Sequence, residues 1–326
     1  MNNGGIFMNK KVIGIIGSVI ALILGFLGFE ITQQPGLLGD NTEESSTVTV
    51  VSESGDVPTH INNTLISHYI DVGQGDSEFI ELPDGKTLLI DAGERTASET
   101  VISYIKSLGY TKIDFVVGTH PHSDHIGGLA DVIKTFDIGQ IYMPNATSTS
   151  KTYEYLLNTI SNKKKKIKTA KAGVKITSST EPAYSVDILA PVNKDYDDLN
   201  NYSAVVRIKY KNRSFLYMGD AETLSEKEMM NKNTDLTADV VKVGHHGSYS
   251  SSSDKFVKST GAKYAIFSLG KDNDYGHPHD QVVKRWQKYN AEMFRTDECG
   301  TITIYSDGDS LNVHLEKSQS SQQNAA

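Results

Sequence analysis

The chain has 326 residues, of which 38% are hydrophobic and 22% are charged, with 32 Lys and Arg against 40 Asp and Glu. This length is sufficient for a large domain with a sizeable buried core. The formal net charge of -8 excludes a protein that coats nucleic acid by bulk positive charge, and the single cysteine, Cys299, excludes an intrachain disulfide and a cysteine-rich zinc finger.

The N-terminus carries a long apolar run. Lys10 and Lys11 precede residues 12–29, which include no charged residue. This length is near the short end of what crosses a bilayer as a helix, and the lysines predict that the rest of the chain lies outside the cell. A cleaved signal peptide, giving a secreted protein, is the alternative. Because the run ends without a clear small-residue cleavage site, we prefer an uncleaved single-pass anchor in a bacterial cell membrane.

Composition divides the chain into four parts. Residues 1–31 are predicted to be a short cytoplasmic tail and the anchor. Residues 32–62 are predicted to be a disordered linker, since the stretch from Asp40 to Asp56 is rich in Ser, Thr, Glu and Val. Residues 63–317 are predicted to form the folded domain, and the Ser/Gln-rich residues 318–326 a disordered tail.

Strand-like runs alternate with helical patterns through the folded domain. We predict strands at 65–72, 77–82, 86–90, 114–118, 186–189, 203–210, 214–218, 240–243, 264–269 and 301–305. Helices are predicted at 100–108, 129–136 and 281–289, with a further helix opened by a capping box from Ser225 to Glu228. Strands lead, helices interleave and the pattern occurs twice, which favours an α/β sandwich of two sheets with helices outside.

Metal-binding residue types are densest directly after the strand predicted at 114–118. That segment reads Thr119-His-Pro-His-Ser-Asp-His-Ile-Gly-Gly128. Imidazole nitrogens and carboxylate oxygens are suitable ligands for Zn, Mn or Fe. His120 and His122 can face one metal from an extended segment, and Asp124 and His125 can turn toward a second metal where the next helix begins.

Three other strands end in polar residues that can complete such a site. Asp220 follows the strand at 214–218, where a carboxylate can bridge two metals. His245 and His246 follow the strand at 240–243. Asp91 follows the strand at 86–90, where it can orient a metal ligand.

Taken together, these segments resemble the metallo-β-lactamase superfamily, and more narrowly the extracellular hydrolase domain of ComEC competence proteins and their free-standing relatives. The resemblance covers about residues 64–316 and implies a four-layer αββα sandwich. Its segments are Asp71-Val-Gly-Gln-Gly-Asp76-Ser77, Asp91-Ala-Gly93, residues 120–128, Asn201-Tyr-Ser203, Gly219-Asp220, His245-His-Gly-Ser248, Gly276-His277-Pro278 and Arg295-Thr-Asp297.

The resemblance also implies a ligand set for two divalent ions, Zn or Mn. The first ion takes His120 and His122, the second takes Asp124 and His125, and Asp220 bridges them. His245 is the preferred last ligand of the second ion and His246 the alternative. Most superfamily members have another histidine before the strand that leads to the bridging aspartate. Residues 200–203 here read Asn-Asn-Tyr-Ser, so we expect an open, weakly held first ion.

Such a pair of ions activates a shared water, and an open first site favours an anionic phosphodiester over a lactam. We expect Asp124 and Asp220 to be catalytic, together with His277 as a proton donor or phosphate ligand. A structural role for this loop histidine is an equal alternative. The predicted substrate-binding or supporting residues are Asp71, Gln74, Asp76, Asp91, Asn201, Ser203, His246 and Ser248.

The predicted function is an extracellular phosphodiesterase or nuclease that acts on extracellular DNA, without an obligate protein partner. One alternative is a lactone, lactam or thioester hydrolase on the same fold. Another is a non-catalytic surface protein that binds DNA or wall polymer. A lysine-rich run, Lys163 to Lys168, can attract a phosphate backbone or an anionic surface, or can simply be a solvated helix end.

Overall fold

Two β-sheets face each other in the computed structural model, which describes residues 50–51 and 62–317. The first sheet consists of β1 (Val50–Val51), β2 (Leu65–Tyr69), β3 (Glu78–Glu81), β4 (Thr87–Ile90), β5 (Lys112–Val117), β6 (Asp137–Met143), β7 (Ile167–Thr169), β15 (Ile302–Ser306) and β16 (Asn312–Leu315). Their spatial order is β1, β16, β15, β2, β3, β4, β5, β6, β7.

The second sheet consists of β8 (Val174–Thr180), β9 (Ala183–Ala190), β10 (Val205–Tyr210), β11 (Arg213–Tyr217), β12 (Val240–Lys242), β13 (Tyr264–Phe267) and β14 (Glu292–Arg295). Neighbouring strands follow one another in reverse chain order, from β14 to β8. Strands β8 to β11 pair antiparallel, whereas β11 to β14 pair in parallel.

Apolar side chains alternate between a central layer and an outer layer. In β4, Leu88 and Ile90 belong to a core to which both sheets contribute, whereas Leu89 packs with the helices outside the first sheet. In β10, Val206 belongs to the same central core and Val205 to the outer layer of the second sheet. Successive strand side chains point to opposite faces, so apolar residues at both positions require cover on both faces.

Helices supply this cover. Four of them pack on the first sheet: α1 (Ser98–Ser107), α2 (Ser123–Ile126), α3 (Leu129–Thr135) and α4 (Lys151–Asn162). Three pack on the second: α5 (Thr223–Asn231), α6 (Asp254–Thr260) and α7 (Asp280–Lys288). The short α8 (Thr296–Cys299) places Cys299 in the central core. The predicted αββα sandwich is confirmed.

The parallel strands position the polar residues that were selected from the sequence. Strands β4 and β5 are parallel in the first sheet, and β11 and β12 in the second. Parallel strands end at the same edge of a sheet, where the loops after them meet. Asp91, the Thr119–Gly128 segment, Asp220 and the histidine pair all follow such ends.

Two sequence interpretations are corrected by the structure. The helix that includes Ser225 begins at Thr223. Ser225 is buried inside its first turns, so it is not the N-cap residue of a capping box. The linker was predicted without regular structure, yet Val50–Val51 pairs in parallel with β16.

Within residues 50–51 and 62–317, no helix is long and apolar enough to cross a membrane. The predicted anchor at residues 12–29 and the predicted tail at 318–326 lie outside the described residues, as does most of the predicted linker.

Candidate metal centre

Two groups of metal-binding side chains meet where the parallel strands end. One group consists of Asp124, His125, Asp220 and His246, and the other of His120, His122 and Asp220. Within each group, the candidate ligand atoms all lie within 4.8 Å of one another. Because Asp220 belongs to both groups, the arrangement offers two adjacent sites that share one carboxylate.

Unsatisfied polar atoms converge at the shared carboxylate. Nε2 of His125 and Nε2 of His246 lie 3.2 and 3.5 Å from Oδ1 of Asp220. All three atoms are buried without a hydrogen-bond partner among the described residues. Burying such groups unpaired is costly, and a bound cation would satisfy all three. The residues therefore fit a metal centre, and their nitrogen and oxygen donors suit Zn or Mn.

Asp91 holds the histidine segment in place through hydrogen bonds to its carboxylate. Its carboxylate accepts hydrogen bonds from the backbone N–H of Thr119 at 2.8 Å and from the Thr119 hydroxyl at 2.6 Å. It also lies 2.8 Å from Nδ1 of His125. A carboxylate can only accept here, so His125 keeps a proton on Nδ1, and Nε2, which is directed toward Asp220, is the nitrogen that can bind a metal. This geometry suits a residue that orients a metal ligand.

Neighbouring charged groups in the centre shift one another's pKa values. Burial disfavours the charged form of His125, but the carboxylates of Asp220 and Asp124 outweigh it and raise the pKa of His125 well above its usual value. Burial likewise disfavours ionised Asp220, yet the adjacent His125 and His246 hold the Asp220 pKa well below its usual range. For His120, burial lowers the pKa and the neighbouring His125 lowers it further. Carboxylates therefore remain ionised as ligands.

The two histidines after β12 have different surroundings. Both adopt left-handed backbone conformations, with φ of 48° at His245 and 52° at His246. Nε2 of His246 lies 3.3 Å from Asp124, within the second group. His245 is directed elsewhere: its Nδ1 lies 3.0 Å from the Ser250 hydroxyl and its Nε2 3.8 Å from Oδ2 of Asp220. The second candidate group therefore includes His246, the alternative from the sequence, and does not include His245, the preferred ligand.

A buried ion pair lies behind His246. Lys242 and Asp76 form a salt bridge, and both side chains are fully buried. Asp76 Oδ1 is 3.3 Å from Nδ1 of His246. Because Asp76 is buried, it supports the ligands and does not contact substrate at the site edge. Sequence analysis missed Lys242, although a lysine inside the apolar strand at 240–243 was an available signal.

Glu78 is a further buried carboxyl group in this region. Burial raises the pKa of Glu78 well above its usual value, and the nearby charge of Asp76 raises it further. Burial and the charge of Asp76 therefore favour the neutral form of the Glu78 carboxyl, against the opposing effect of Lys242.

An open cavity of about 330 Å³ gives access to the centre. Its lining consists of Gln74, His122, Ser123, Asp124, Asn200, Asp220, His245, His246, Tyr275 and His277. Gln74, predicted to bind substrate, and His277, predicted to be catalytic, line this cavity, as does His245, which was predicted to be a metal ligand. Asn200, Ser123 and Tyr275 were not selected from the sequence.

The remaining predicted residues lie behind or beside this cavity. Ser203 accepts a hydrogen bond from the backbone N–H of Asp220 at 3.0 Å and so helps to position the carboxylate that the two groups share. Asn201 is buried and donates to Glu222 at 3.1 Å, so Asn200 rather than Asn201 faces the cavity. Ser248 is buried near Ser250.

Asp71 lies outside the cavity. Its carboxylate is 3.6 Å from Nζ of Lys317 and accepts a hydrogen bond from the backbone of Gly73, so it stabilises the loop after β2. The run from Lys163 to Lys168 is largely exposed, and none of its lysines lines the cavity.

His277 stands at the cavity wall in a neutral form. Burial and the nearby histidines His246 and His245 lower the pKa of His277 to about 4. Added metal charge would lower the pKa further, so at neutral pH His277 acts as a neutral hydrogen-bonding group and not as an imidazolium acid.

Fold and site together define a metal-dependent hydrolase, and the signature of the metallo-beta-lactamase superfamily matches residues 70–271. The chain belongs to that superfamily, whose fold usually holds a dinuclear metal centre.

Its relatives include ComEC-like competence proteins. ComE operon protein 3 of Bacillus subtilis is 30% identical over 250 residues, which are 72% of this chain and 32% of that protein. Competence protein ComA of Neisseria gonorrhoeae is 28% identical over 237 residues, 71% of this chain and 31% of that protein. The chain thus spans about a third of the length of these relatives. Among solved structures, a mutant of the CmlA β-hydroxylase has a TM-score of 0.50 at 15% identity, covering 73% of this chain and 53% of that one, a similarity of fold alone.

Proposed function

We propose that the protein is a phosphodiesterase that cleaves DNA outside the cell, held at the membrane by its N-terminal segment. The observation that carries this proposal is the composition of the first ligand group, which has His120, His122 and the shared Asp220 but no third histidine. Asn200 lines the cavity in that region instead. Fewer protein ligands leave room for phosphate oxygens, which a hard divalent ion accepts readily.

The bound ions would lower the pKa of a water molecule and polarise the phosphoryl group. The chain supplies the other functions. Asp124 has a pKa below its usual value, so it stays ionised and can accept a hydrogen bond from the attacking water. The Asn200 amide can donate to a phosphate oxygen. His277, neutral at pH 7, can donate a hydrogen bond to the leaving oxygen or to the phosphate.

The relatives favour DNA as the substrate. One is named Competence protein ComA, another is ComE operon protein 3, and a third is Recombination protein 2 of Haemophilus influenzae, 24% identical over 258 residues. These names belong to proteins about three times as long as the aligned part, so the activity of this chain requires direct measurement.

The test uses the full chain, purified in detergent and supplied with Mn²⁺ or Zn²⁺. We expect cleavage of end-labelled DNA that chelator abolishes and that Asp124→Asn lowers by at least 100-fold, because this change removes a ligand of the second group. The matched control is Asp137→Asn, since the Asp137 side chain is 72% exposed on β6. A chain that turns over a chromogenic lactam but no phosphodiester would refute the proposal.

A further inference from the structure

A series of near-parallel rings leads from the metal centre to solvent. The rings of His246 and His277 stack with centroids 6.2 Å apart at 27°, and those of His277 and Tyr275 with centroids 5.6 Å apart at 21°. His246 belongs to the second ligand group, whereas Tyr275 is 65% exposed. The outermost ring therefore lines the cavity while it presents an aromatic surface to solvent.

The loop that carries Tyr275 is ordered by polar contacts. The Asn273 amide donates to the carbonyl oxygens of Gly270 and His277, at 3.0 and 2.7 Å, and its side-chain oxygen accepts from the His277 N–H at 2.9 Å. Tyr275 itself belongs to none of the three apolar cores of the described residues. A large, exposed ring that lines the cavity and lies outside these apolar cores is a candidate for ligand contact.

We propose that Tyr275 is a stacking platform for an unpaired nucleobase next to the scissile phosphate. The proposal rests on the proposed function and specifies its substrate. Aromatic stacking tolerates any sequence, since every base has a π face. A base inside a duplex is already stacked, so the platform takes a base from a single strand or a frayed end.

The charge distribution explains why a non-ionic contact is needed here. The chain carries a net charge of -8, and its lysine-rich run from Lys163 to Lys168 does not line the cavity. Among the described residues, no lysine or arginine lines the cavity itself, so base stacking supplies affinity there that side-chain charge does not.

The test is a double-mutant cycle on the full chain with Mn²⁺. One substrate is a single-stranded oligothymidylate, and the other has the same length with a tetrahydrofuran in place of each base. We expect the wild type to have a KM for the base-bearing strand about 5- to 150-fold lower than for the abasic strand, with similar kcat. In Tyr275→Leu, the two KM values become equal, whereas Tyr275→Phe keeps the difference because the ring remains.

Tyr249→Leu is the matched control. Tyr249 is 63% exposed and packs its ring edge against His279, but it does not line the cavity. We expect this variant to behave as the wild type. Cleavage of both strands with the base preference intact in Tyr275→Leu would overturn the platform alone. If neither strand is cleaved by the wild type, the proposed function fails, and the platform fails with it.

Discussion

Replacing Asp91 by Asn tests how the second ligand group is oriented. The carboxylate accepts from the N–H and hydroxyl of Thr119 and from Nδ1 of His125. An Asn of the same shape keeps one acceptor for the Thr119 N–H, but its amide donor then faces the Nδ1–H of His125. The imidazole relieves this conflict by moving its proton to Nε2, the atom directed at Asp220, and a protonated nitrogen cannot bind a metal.

The expected loss of metal affinity is limited because the substitution removes no ligand. Every ligand remains in the sequence, and only the tautomer and hold of one of them are altered. Loss of such a supporting partner typically weakens metal binding by about 10- to 100-fold, equivalent to about 1.4 to 2.7 kcal/mol. We expect the weakening at one site only, because His120 and His122 do not contact Asp91.

Titration of the metal-free full chain against a competing fluorescent chelator measures this effect. The control is Asp137→Asn, whose exposed carboxylate lies away from the centre. Thermal unfolding of the metal-free variant confirms that the fold is intact. An Asp91→Asn protein that folds normally and binds both ions within twofold of the wild-type affinity would show that Asp91 does not govern the His125 tautomer.

Three other outcomes are expected. Elemental analysis should show that His246→Asn loses one of the two bound ions and that His245→Asn retains both. Asn is used because it tolerates the left-handed backbone at both positions. The reverse result would exchange the roles of the two histidines. Metal binding should release protons between about pH 6.5 and 10, detected by calorimetry in buffers of different ionisation heat, because acidic neighbours outweigh burial and raise the pKa of His246 to about 10. In the metal-free chain, the stability contributed by protonated His246 is complete below about pH 6.5 and is lost as the pH rises toward 10, so a flat melting profile there would count against it. Lys242→Met should destabilise the metal-free fold by about 3 to 5 kcal/mol, since it leaves Asp76 buried without its cation, and an unchanged melting temperature would refute this.

The centre was predictable where its chemistry is local in sequence. His120, His122, Asp124 and His125 lie within six residues, and the strand before them and helix after them fix their geometry. Asp220 was identifiable because it directly follows an apolar strand in a Gly-Asp pair. The choice between His245 and His246 was not predictable, because it depends on backbone angles that neither side chain encodes.

Contacts between segments that are distant in the chain could also not be predicted from the sequence. Lys242 ends β12 of the second sheet and Asp76 lies in the loop between β2 and β3 of the first, so only the packing of the two sheets brings them together. In the fold, two of the strands that were not predicted have weak apolar patterns. Strand β7 is exposed throughout, and β8 is rich in Ser and Thr with one buried position. Edge strands such as these take their structure from their neighbours, so hydrophobic alternation does not identify them.

The left-handed turn at His245 and His246 strains the backbone next to the metal centre. A side chain other than glycine in this conformation costs about 1 to 2 kcal/mol, so the chain carries two such penalties side by side. At His245, glycine would relax the backbone and raise the unfolding temperature of the empty protein, because that side chain is partly exposed. At His246, glycine would also remove the buried imidazole that pairs with Asp76, Asp124 and Asp220. Selecting heat-resistant variants on melting temperature alone would therefore change the first histidine and keep the second.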